Sequence, residues 1–249
     1  MDLKQIIKDY LQIHFSFNPT HATKEGYAGF DEVLPDLSKD NLQELIKQYK
    51  VCLKNVSALS LDDSGEKIEQ DLLKRKLQIQ LYQMESVPHF EHNPAYYVNV
   101  LSSSLFDLMM SPDHTDSEKV HCILKRLEGF PTLIEQAKEN LQNPIELWTS
   151  IAKDEIQGLF SYIKEVIEPY LKSQNQIATQ VIQNATEAIF TLKHHLNELK
   201  TFRKDFAIGQ DNFEFILKTF HGIDSSANEI KEIGFKQLDE ISKQLSEQA

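Results

Sequence analysis

Apolar residues recur along most of this chain at spacings of three and four, which stack them on one face of an α-helix. Leu3, Ile6, Ile7, Tyr10 and Leu11 predict an opening helix over residues 2–15. Residues 16–38 break the pattern with Asn18-Pro19, Gly26, Gly29 and Pro35, and read as an ordered loop. Ser38 is placed to cap a helix running to about Leu59, with Leu42, Leu45, Ile46, Tyr49, Cys52, Leu53 and Val56 inward. After a turn at residues 60–65, another helix continues to Met84, with Ile68, Leu72, Leu77 and Leu81 as its expected inner face. The short turn between them predicts an antiparallel hairpin.

Asn93-Pro94 predicts the next start: Asn to cap free amides, Pro in the first turn where its missing N–H costs nothing. That helix ends before Pro112, and Thr115 with Glu118 forms a capping box for its successor. Gly129 then predicts a helix end and Pro131 a restart, a tight corner between two helices. Asn143-Pro144 repeats the start signal, and the helical pattern from Ile145 runs to Pro169, which should end or kink it. Ile177 to Leu199 carries another long stripe. Residues 204–224 read as a turn and a short helix between Gly209 and Gly222. Ser226 and Glu229 form a second capping box, opening a last helix toward Leu245. Strand-like alternation never persists, and neither a repeat nor a dividing linker is visible. The expectation is one all-α domain over residues 1–249, a multi-helix antiparallel bundle of nine or ten helices.

Composition narrows the function. A net charge of −12 argues against a nucleic-acid binder, which needs a basic footprint, and against docking on anionic lipid by charge. No apolar run approaches a membrane span, and the charges scattered through the first fifteen residues are unlike a secretory signal, so a cytoplasmic location is expected. Cys52 and Cys122 sit in apolar helical surroundings and are expected to be buried, reduced thiols.

Chemistry is sparse. The chain lacks H-E-x-x-H, the P-loop, G-x-G-x-x-G and G-x-S-x-G. His89-Phe90-Glu91-His92 is the nearest approach to a metal cluster, but flanking prolines predict a loop, and zinc needs three or four convergent ligands. His194-His195 with Glu198 reads as a solvated helix face, and His114 and His121 as structural. Asp62-Asp63 and Asp154-Glu155 are adjacent carboxylates that read as solvated charge; on a helix, Asp154 and Glu155 point different ways. Tyr96, Tyr97, Trp148 and the cluster Phe202, Phe206, Phe213, Phe215 and Phe220 fit core spacing better than a groove. Residues 202–220 are nevertheless the best functional stretch, because aromatics there accompany Arg203, Asp205 and a Gly-hinged turn. No catalytic, cofactor or metal residue is assigned; the groove candidates are Tyr97, Arg203, Asp205, Phe206 and Gly209.

Taken in order, a set of short motifs resembles the N-terminal half of the DUF885 family, helical bacterial proteins related to zinc metallopeptidases. The residues are Pro19-x-x-Ala22-Thr23-x-x-Gly26, Asp31-x-x-Leu34-Pro35-Asp36-Leu37-Ser38, Asp71-x-Leu73 and Asn93-Pro94-x-x-Tyr97. They continue with Arg126-Leu127-x-x-x-Pro131-x-Leu133, Ala137-x-x-Asn140-Leu141-x-x-Pro144, Ala152 with Gly158, and Asp205-Phe206-x-x-Gly209-x-x-x-Phe213. The resemblance implies a zinc-binding H-E-x-x-H helix in a C-terminal half, which this sequence does not contain. It also implies a helical wall of a peptide groove here, without activity of its own, and a partner carrying the zinc motif or a second copy of the chain. Ala207 departs from the longer polar side chain expected at its position. The alternative expectation is a stand-alone helical interaction module.

Overall fold

The structure, a computed structural model, describes residues 2–248. Among them nine helices have ten residues or more: α1 (Leu3–Phe17), α3 (Lys39–Ser57), α4 (Ser64–Glu85), α6 (Pro94–Met110), α7 (Asp116–Asn140), α8 (Glu146–Tyr162), α10 (Thr179–Glu198), α11 (Gln210–Thr219) and α12 (Ala227–Gln248). Three shorter ones, α2 (Pro19–Lys24), α5 (His89–His92) and α9 (Glu168–Ser173), complete an all-α fold with no strand among the described residues. The predicted loops at residues 16–38 and 89–92 thus each contain a short helical turn. Pro19 starts α2, having no N–H to leave unpaired there.

The core is built by α1, α3, α4 and α6 to α10. Helix α7 packs along α10 and α6, and α6 also packs on α8. α3 and α4 form the predicted antiparallel hairpin: Lys50 pairs with Glu85 near one end, and Gln70 bonds the carbonyls of Val56 and Leu59 at the other. The inner face of α4 matches the expected one in its second half, where Leu77 and Leu81 are buried, and differs in its first: Ile68 and Leu72 are exposed, and Gln70 and Leu73 turn inward instead. The carbonyls closing α3 need a donor, and Gln70 supplies it.

The corner expected at Gly129 and Pro131 does not exist. α7 runs unbroken for 25 residues, with Pro131 inside it. Burial of Leu127, Phe130, Leu133 and Ile134 on both sides of the proline outweighs its missing hydrogen bond. Gly129 serves close approach rather than a turn: a Cβ there would come within 3.0 Å of Leu34 Cδ1, which the preceding loop lays across the helix.

Pro169 is absorbed in the opposite manner. A π-helical turn, Ile163–Ile167, widens the ladder so that the Glu168 N–H reaches Ile163 O, and helix continues to Ser173. Ile177 lies outside α10 and is 93% exposed, so the stripe expected from it begins later, at Ile182.

The residues carrying the family resemblance hold loop to helix. Arg126 is completely buried, and donates to Ser104 O at 2.6 Å and to Thr23 Oγ1. Thr23 in turn donates to Asp31 at 2.6 Å. Burial brings the Arg126 guanidinium down to about 10, still protonated at neutral pH. Asn140 donates to Leu37 O at 2.7 Å, and Gln136 bonds the Leu37 N–H at 2.8 Å and the Asp36 carboxylate at 2.7 Å. Both capping boxes form: Thr115 N–H and Ser226 N–H each donate to their glutamate at 2.7 Å.

Candidate functional site

Three distant stretches meet beside α5. The Arg203 N–H donates to Pro144 O at 3.0 Å, and the Glu146 N–H donates to Arg203 O at 2.9 Å, a single parallel bridge between Ile145 and Arg203. The Ile145 N–H donates to His92 O at 2.9 Å, and His92 Nδ1 donates to Asn143 O at 3.0 Å. This corrects the start signal read at Asn143-Pro144. Asn143 does not cap α8 and Pro144 lies before the helix; Ile145 is the N-cap residue, without a side-chain cap. A free first-turn amide takes the Arg203 carbonyl instead. Asn93 likewise makes no side-chain cap, and its Oδ1 is buried without a partner.

The junction encloses a cleft of 210 Å³. His89, His92, Trp148, Arg203, Phe206 and Asn212 line it, together with smaller apolar residues. Arg203 is half-buried, and no carboxylate among the described residues pairs with its guanidinium. His89 is held below the usual histidine range by burial and then by neighbouring His92, so it is neutral at pH 7. Phe206 forms the lip and is 56% exposed.

Of the five groove candidates, Arg203 and Phe206 line this cleft. Asp205 turns back to accept the Ala207 N–H at 2.8 Å, shaping the loop. Gly209, at φ +84° and ψ 162°, supplies a conformation nearly confined to glycine and begins α11. Tyr97 is not at the cleft. It is fully buried, donates to Phe90 O at 2.8 Å and accepts from Asn140 at 3.1 Å, which fixes α5 from behind.

The aromatics of residues 202–220 do not enter the core. Phe206, Phe213 and Phe220 are exposed, and the Phe215 ring packs at a tilt against Tyr82, with ring centres 4.7 Å apart, joining α11 to α4. His89 and His92 do wall the cleft, and Asn212 joins them with no sequence signal to announce it. Among the described residues no three His, Cys, Asp or Glu side chains are grouped so as to hold a metal ion. The zinc implied by the resemblance therefore has no fitting ligand set among these residues.

The class is that of a large all-helical protein. The chain superposes on a Shewanella oneidensis protein of unknown function, provisionally described as a lipoprotein, with TM-score 0.75 and 16% identity. The match covers 97% of this chain and 46% of that one, so this chain spans less than half of that protein's length. Residues 19–249 match the family described as bacterial protein of unknown function, DUF885, and the chain belongs to that family. No curated protein matches it significantly. No helix among the described residues is long and apolar enough to cross a membrane.

Proposed function

We propose that this chain is the helical, groove-forming portion of a larger DUF885 assembly, a scaffold and docking surface for a zinc-bearing half. The observation that carries the reading is the uncovered apolar face of α12. Ile233, Leu238, Ile241 and Leu245 lie on one side of that helix and are all more than half exposed. Among the described residues α12 packs chiefly on α11, and no residue of either helix joins the main core cluster. Exposed stripes of this extent mark surfaces meant to be covered. The coverage of less than half of the Shewanella protein supports a second body of similar size as the cover. In this reading the present chain binds and positions, and the reacting groups come from the partner.

The test mixes this chain with a DUF885 polypeptide carrying the H-E-x-x-H half. A one-to-one complex by analytical ultracentrifugation, with chelator-sensitive peptide cleavage in the mixture alone, is the expected result. A chain that stays a monomer or homodimer in the presence of that half, with no cleavage, favours the stand-alone interaction module.

A further inference from the structure

The cleft beside α5 differs in charge from the rest of the molecule. The chain carries 38 acidic residues against 26 Lys and Arg, yet none of the residues lining this cleft is acidic. Arg203 is its one permanent cation, two histidines share the wall, and the remaining lining is apolar or neutral. Arg203 is half-buried as a residue and, among the described residues, makes no ion pair with a carboxylate, so its side chain is left to pair with a bound anion.

The geometry favours a carboxylate among anions. The planar guanidinium offers paired N–H donors that match the two oxygens of a carboxylate. Both main-chain groups of Arg203 are bound into the start of α8, at 3.0 and 2.9 Å, so the side chain departs from a fixed point and less freedom is lost on binding. Trp148 and Phe206 supply an aromatic wall next to the charge, which suits an apolar body rather than a bare inorganic ion. At 210 Å³ the cleft lies below the roughly 300–1,000 Å³ of sites for drug-sized ligands, so it holds one small group or one chain end.

We infer that this cleft binds a carboxylate carried on a small apolar body, with Arg203 as the anion-binding group and Trp148 and Phe206 as the apolar wall. A free acylated amino acid and the C-terminus of a peptide present the same chemistry. The inference deepens the groove reading and rests on it for biological context. The binding itself is measured on this chain alone, so its failure and failure of the two-part assembly are separate results.

Trp148 is the only tryptophan in the chain, so its emission reports directly on the cleft. The protein is titrated with N-acetyl-leucine, N-acetyl-leucinamide, inorganic phosphate and a short peptide ending in leucine. Expected is a saturable emission change with N-acetyl-leucine at a Kd of about 1 mM or tighter, and binding at least ~10-fold weaker for the amide and for phosphate. Tighter binding of the peptide assigns the site to chain ends, and equal binding assigns it to small acids; both support a carboxylate site. Arg203→Gln should weaken N-acetyl-leucine at least ~10-fold with an unchanged circular dichroism spectrum. Phe206→Ala, at the exposed lip, should weaken it several-fold and guards against a folding defect in the arginine variant. Equal binding of acid and amide, phosphate as tight as the acid, insensitivity to both substitutions, or no saturable change up to about 10 mM overturns the inference.

Discussion

His14 is a buried histidine whose protonation state follows from its neighbours. Its Nδ1 lies 3.0 Å from the Gln80 amide nitrogen, which can only donate, and 3.0 Å from Tyr49 OH, so Nδ1 acts as the acceptor. The proton then sits on Nε2, which donates to His21 Nδ1 at 3.3 Å. Burial, followed by repulsion from His21 and Lys76, lowers His14 from 6.5 to about 4. The unfolded chain therefore takes up a proton below pH 6.5 that the folded chain refuses until about pH 4. Stability contributed by the neutral ring is present above pH 6.5 and declines as pH falls toward 4. At ~1.4 kcal/mol per tenfold difference in proton affinity, the full decline is ~3 kcal/mol. Urea unfolding of wild type and His14→Gln across that range checks it. The variant should show a shallower decline, and parallel curves would rule His14 out as the cause.

Among the elements, α7 carries a proline inside an unbroken run of helix. Pro131→Ala restores the N–H for the i−4 carbonyl, and its side chain is only half-buried, so little packing is lost. An increase of about 1–3 kcal/mol in unfolding free energy is expected by thermal or urea denaturation. A decrease would mean that the proline holds a bend the helix needs. The Thr115–Glu118 box is a separate, smaller contribution at the same helix. Thr115→Ala removes the Thr115 hydroxyl acceptor at 3.4 Å and should lower stability by ~1 kcal/mol, measured in the same way.

At the scale of the whole molecule, α12 stands outside the core, while α11 is joined to α4 through Phe215 and Tyr82. Core residues come from α1 through α10, whereas α12 leaves its apolar side in water. Replacing Ile241 and Leu245 together by Glu should change the melting free energy by no more than about 0.5 kcal/mol, as for surface sites. The same variant should lose most of its binding of a hydrophobic dye and its capture of a partner half. A large loss of stability would show that α12 belongs to the core after all.

Periodicity in the sequence was enough to determine the helical class, most helix positions and both capping boxes, because these rest on interactions within four residues. The motif residues Thr23, Arg126 and Asn140 were visible as a pattern, but their work of tying the 25–38 loop to α6 and α7 spans about a hundred positions and appears only in three dimensions. Gly129 and Pro131 misled for a related reason: local breaker chemistry was overruled by apolar burial before and after the proline. Arg203 and Phe206 were legible as candidates, whereas their joining with His89, His92 and Trp148 depends on main-chain bonds between residues 144–146 and 203. Local spacing sets which face of each helix is apolar. Only the tertiary structure decides which of those faces is covered, and therefore which polar groups are left together in a cleft.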